Sequence, residues 1–98
     1  MNLTSDMLIQ IEEYGKILML PNDIAEIMEF DKREFISELN DTESVIKKAY
    51  YKGTLMTEVT IRQKATGIFD GNSLAEDIAF SLKDLREFKS RLIIQLHG

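Results

Sequence analysis

Lys32, Arg33 and Ser37 stand close together in the chain, and Lys47, Lys48 and Lys52 follow around Tyr50 and Tyr51. Lysine, arginine and serine side chains donate to phosphate oxygens and to base edges, so these six residues are the candidates for contact with DNA. Tyrosines among lysines also suit the stacking surface of a single-strand binder. One tyrosine in a core and one at an amphipathic surface is the plainer account of Tyr50 and Tyr51.

Other chemistries find no constellation. His97 is the only histidine, which removes a histidine-centred triad and a histidine metal site. The acidic pairs Glu12-Glu13 and Glu76-Asp77 are adjacent residues that diverge on a helix, without the oxygen-rich loop of a calcium site; they read as solvated faces. The glycine-bearing stretch 69–73 lacks the Lys-Ser/Thr ending and the preceding strand of a phosphate loop, so it reads as a connector. There is no cysteine, hence no disulfide and no thiolate metal site. No catalytic residue, metal ligand or cofactor is assigned, and an enzyme is not expected.

The elements that must position the cations are limited by length. The 98 residues, 44% hydrophobic and 30% charged, make a single domain spanning 1–98. Residues 1–20 carry Asp6, Glu12 and Glu13 within their apolar pattern and lack the basic start of a signal peptide. No stretch has the length of a membrane span, so a cytoplasmic protein without a membrane partner is expected. The net charge of -5 argues against a polyanionic partner, but it is unevenly placed. Residues 1–31 hold seven acids against Lys16 alone, whereas 32–64 hold seven bases against five acids.

No alternating apolar run of strand length occurs, and the helical period predicts an all-α fold. A first helix over 5–19, with Leu8, Ile11 and Leu18 at helical spacing and Gly15 as its weak point, is ended by Pro21. Asn22 can cap a short second helix over 23–28, and Asp31, with Glu34 three residues on, opens a third carrying Phe35, Ile36 and Leu39. A fourth helix starts near Asp41 or Thr42 and runs to about residue 66, with a bend expected at Gly53; Ile46, Ala49, Tyr50, Met56 and Val59 lie along or beside one face. Gly67 is a natural stop. Ser73 and Glu76 make a capping box for the last helix, whose stripe Ile78, Leu82, Leu85, Phe88 and Leu92 calls for a partner helix. The short connection makes 42–96 a long antiparallel helical hairpin serving assembly, with the first helix packed across what precedes it.

Residues 22–39 match a helix-turn-helix. Ala25 is the small residue where two helices cross, Met28, Phe30 and Phe35 form the core between them, and Asp31 caps the second helix. Glu29 stands where glycine is usual, so it must accept a positive φ or the turn must take another shape. The second helix would offer Lys32, Arg33 and Ser37 to a major groove, while Glu34 and Glu38 would repel DNA.

Together with residues 41–53, 58–65 and 71–75, this segment resembles the phage terminase small subunits and related phage and prophage proteins. The likeness is carried by the helix-turn-helix, the step Lys52-Gly53, Ala65, and the helix start containing Gly71, Asn72 and Ala75, and it covers about residues 22–83. The resemblance implies recognition of double-stranded viral DNA for packaging, assembly into a homo-oligomeric ring, delivery to a separate large ATPase subunit, and residence in a bacterial host's cytoplasm. The alternative from the residues themselves is an acidic helical interaction or scaffold module without DNA binding.

Overall fold

A computed structural model of the chain describes residues 1–66 and 75–97. The fold is all-α: α1 (Ser5–Lys16), α2 (Pro21–Met28), α3 (Lys32–Leu39), α4 (Val45–Ala65) and α5 (Ala75–His97) follow one another, and no strand occurs among the described residues. The stop at Gly67, the connector that follows it and Ser73, and with Ser73 the capping box it was expected to form with Glu76, fall outside what the structure describes.

Hydroxyl and carboxylate side chains start three of these helices. Thr4 Oγ1 accepts from the Met7 amide, Asp31 Oδ1 from Glu34 and Ser44 Oγ from Ile46, which satisfies amides that have no partner within the first turn. Ser44 also corrects the expected start of α4: Asp41 accepts from the Glu43 amide in a turn of its own, which holds 41–44 outside the helix. The second helix differs too. Pro21 begins it instead of merely ending α1, because the missing proline N–H costs nothing at the first helical position. Asn22 is therefore inside α2, where its amide donates to Gln95 Oε1 of α5 at 2.9 Å. The first helix stops at Lys16, ahead of the expected residue 19, since Leu18 turns left-handed (φ 58°) and the Met19 amide closes on the Tyr14 carbonyl.

Packing corrects two further expectations. The principal partner of α1 is α4 and not the helix pair α2–α3. Gly53 does not bend α4, which is continuous from Val45 to Ala65; it lies buried against α1 opposite Gly15. Around this crossing the Tyr50 hydroxyl donates to the Met19 carbonyl at 2.6 Å, and the Thr57 hydroxyl donates to the Lys16 carbonyl. Both satisfy carbonyls at the end of α1 and tie α4 to the chain leading into α2.

The core joins all five helices through Ile11, Ile24, Phe35, Leu39, Ile46, Tyr50, Phe88 and Leu92. α5 first lies beside the end of α4, where Lys89 meets Glu58 at 2.8 Å. Its last turns then reach the helix pair: Gln95 holds the start of α2, and Asn40, just past α3, donates to the Leu96 carbonyl at 3.0 Å. The helix expected to complete a hairpin with α4 is thus also the clamp that fixes α2 against α3.

Candidate nucleic-acid interface

The orientation of α3 is set by three residues of the turn. Glu29 adopts φ 58° and ψ 39°, so the glycine position of the turn is left-handed with a glutamate in it. A left-handed non-glycine residue costs about 1 kcal/mol, which the surrounding contacts must offset. Those contacts are visible: the Phe30 amide donates to the Ala25 carbonyl at 2.9 Å, and Phe30 packs its ring 5.5 Å from that of Phe35. Asp31 then caps α3. Ala25 and Phe35 are buried at 1% and 0% exposure, with Met28 and Phe30 half-buried beside them, as the helix-turn-helix pattern requires.

With its apolar side committed inward, α3 leaves Lys32, Arg33 and Ser37 exposed. Together with Asn22 and Ile36 they line one shallow depression between α2 and α3. Lys32 Nζ lies 3.6 Å from Glu26 Oε2, but both side chains are more than half exposed, so water screens the pair and the lysine is easily released. The two acids of α3 are not equivalent. Glu38 is half-buried and accepts from Ser44 Oγ at 2.9 Å, bracing the start of α4, whereas Glu34 is exposed.

The lysines of α4 form a separate group. Lys48 and Lys52 border an apolar hollow with Tyr51, Leu55, Met56 and Val59, and Lys52 Nζ lies 3.7 Å from Glu12 Oε1. Lys47 is half-buried, with its ammonium 5.6 Å from the Tyr51 ring centroid, a cation–π distance. The six cations and hydroxyls singled out in the sequence are therefore not brought into one surface: Lys32, Arg33 and Ser37 gather, and Lys48 and Lys52 gather elsewhere.

The residues expected to mediate assembly are placed differently. Leu85, Phe88 and Leu92 are buried in the chain's own interior, and Ile78 and Leu82 are half-buried in hollows beside α4. The large apolar residues left in solvent include Leu55, Met56 and Val59 on α4 and Ile9 and Ile17 at α1. Met56 and Val59, expected along or beside one face with Ile46, Ala49 and Tyr50, are exposed while Ile46 and Tyr50 are buried. At the close approach Tyr50, Gly53, Thr54 and Thr57 lie toward α1, and Met56 and Val59 fall outside that face of the helix. Leu55 was not singled out, and its spacing from Lys48, Lys52 and Val59 was the available signal.

Four titratable groups are perturbed: the hydrogen bond to Glu13 raises Lys16, burial raises Tyr51, and Glu58 and Tyr50 are shifted at contacts that tie α4 to the rest of the chain. Glu58 receives Lys89 and Arg62, each at 2.8 Å, and these hydrogen bonds, Lys89 first, hold its carboxyl below the ordinary range. Burial pushes the Tyr50 hydroxyl well above the ordinary tyrosine range. Glu58 joins α4 to α5, and Tyr50 joins α4 to the connection between α1 and α2. Among the described residues no three His, Asp or Glu side chains converge as metal ligands, and no helix is long and apolar enough to cross a membrane. Comparison with known proteins finds no matching family model, no matching curated protein and no matching solved structure.

Proposed function

We propose that this chain is a DNA-binding, self-associating protein of the phage terminase small-subunit type, acting on double-stranded viral DNA. The observation that carries the reading is the left-handed turn at Glu29 followed by the Asp31 cap, with Lys32, Arg33 and Ser37 exposed on the helix that follows. That geometry suits insertion of α3 into a major groove, where Lys32 and Arg33 would meet phosphates and Arg33 or Ser37 a base edge. In this reading the assembled protein hands DNA to a separate ATP-driven large subunit in the bacterial cytoplasm. The test is duplex binding followed by fluorescence anisotropy at low and at moderate salt. Binding that weakens steeply as salt rises is expected; a duplex left unbound at low salt would overturn the reading.

One observation favours a second reading, an acidic interaction module. Lys32 is already beside Glu26, and α3 carries as many acids as bases. Under that reading the exposed carboxylates of 1–31 engage a protein and no duplex binds at any salt concentration.

A further inference from the structure

The two outer helices carry matching stripes of opposite charge. Along α1 and its end, Asp6, Ile9, Glu13 and Ile17 are all exposed, at spacings of 3, 4 and 4, on the side away from the buried Gly15. Along α4, Lys48, Lys52, Leu55 and Val59 are all exposed, at spacings of 4, 3 and 4, on the side away from the buried Gly53. Each stripe covers twelve residues from first to last, about 16 Å between its ends at 1.5 Å per residue. Ile9 and Ile17 are 60% and 67% exposed, and Leu55 and Val59 are 54% and 50% exposed, so both stripes are apolar surfaces in water.

Their charges complement each other. The only carboxylate of α4 is Glu58, which is turned to Arg62 and Lys89, so the helix itself sets no acid on its outer face. Lys52 Nζ lies 3.7 Å from Glu12 Oε1 of α1, but two-thirds of its side chain is exposed, so water screens that pair and leaves the lysine open to a second carboxylate. The α1 stripe presents Asp6 and Glu13, and the nearby cation, Lys16, is held on Glu13 at 2.8 Å. A parallel copy of either stripe would bring like charges together, and an antiparallel copy would set each charge against an apolar side chain, whereas the opposite stripe offers carboxylates to lysines. Within one chain the stripes cannot meet either, since α1 and α4 are already joined by their inner faces at Gly15 and Gly53.

We propose that the outer face of α4 in one copy docks on the outer face of α1 in the next, head to tail. The inference rests on the self-association in the proposed function and assigns it surfaces. Each α1 would lie between the α4 of its own chain and the α4 of a neighbour. A contact between two different surfaces leaves one of each free on every dimer, so it propagates into a closed ring or an open chain.

The test is mass in solution, by analytical ultracentrifugation over a range of concentrations, with helicity checked by circular dichroism. Wild-type protein is expected to exceed a dimer. Leu55→Glu, which damages the α4 face, and Ile9→Lys, which damages the α1 face, should each be helical monomers. Mixed together they should form a one-to-one dimer and nothing larger, because one intact pair of faces remains. Val59→Glu and Ile17→Lys repeat the test at independent exposed positions. A monomeric wild type, an Ile9→Lys variant that still associates, or a mixture that stays monomeric would overturn the inference. None of the four positions is among those assigned to DNA. Wild-type monomers that bind duplex would remove this interface and leave the DNA reading standing; head-to-tail assembly without duplex binding would do the reverse.

Discussion

Gly15 and Gly53 meet where α1 crosses α4, so closely that a Cβ on Gly15 would lie 3.3 Å from the Gly53 Cα and would overlap the Tyr50 carbonyl oxygen. A Cβ on Gly53 would overlap the Glu12 carbonyl oxygen and lie 2.9 Å from the Lys16 nitrogen. The atoms in the way are backbone, which cannot swing aside as a side chain could.

Gly53→Ala should therefore destabilise the protein, although alanine is the better helix former by about 1 kcal/mol. Overpacking against backbone is expected to outweigh that gain and leave a net loss of about 1–3 kcal/mol. Urea unfolding should show a lower midpoint with an unchanged slope; an unchanged or higher midpoint would mean that the helices do not approach this closely.

Glu29→Gly should do the opposite. Glycine removes the penalty of the left-handed conformation at φ 58°, offset in part by the freedom it gives the unfolded chain. A net gain of about 0.5 kcal/mol is expected in the same unfolding assay, and Glu29→Val, β-branched at that φ, should lose more than 1 kcal/mol, roughly.

Glu58 gives stability a pH dependence of known sign. Its folded value lies below the ordinary 4.5, held there by Lys89 and then Arg62, so its contribution is full above that range and is lost as pH falls through the depressed value. Glu58→Gln should cost about 0.5–1 kcal/mol at neutral pH, the size of a partly exposed ion pair. The stability difference between wild type and variant should shrink below pH 4.5. A difference that is constant between neutral and strongly acid pH would refute the assignment.

Tyr50→Phe leaves the partly buried Met19 carbonyl without its hydroxyl donor, and a loss of about 1 kcal/mol is expected on thermal or urea unfolding. Burial favours the neutral phenol, so alkaline titration followed by ultraviolet absorbance should show two tyrosines, Tyr50 and Tyr51, ionising above the usual range in wild type and only Tyr51 doing so in the variant.

Local chemistry made the turn readable from the residues. Asp31 with Glu34 marks a helix start, and the pattern around Glu29 required either a positive φ or a different turn; the chain takes the positive φ. What the residues could not convey was partnership over distance. A glycine inside a helical pattern reads equally as a bend or as a crossing, and only the juxtaposition of Gly53 with Gly15 decides between them. Met56 and Val59 fall outside that crossing and are exposed, against their hydrophobicity. Asn22 looked like a cap because asparagine often is one, whereas the start of α2 is served by Gln95, 73 residues away. The stripe Leu85, Phe88 and Leu92 was correctly an apolar face wanting a partner, but this chain supplies that partner itself.

The most direct measurement of the central claim is the salt dependence of duplex binding for wild type and for the double variant Lys32→Ala, Arg33→Ala. Both side chains are exposed on α3, so the variant should fold as wild type does. If they contact phosphates, the slope of log affinity against log salt should become shallower by about 2, with weaker binding at low salt. Equal slopes and affinities for the two proteins would contradict the account.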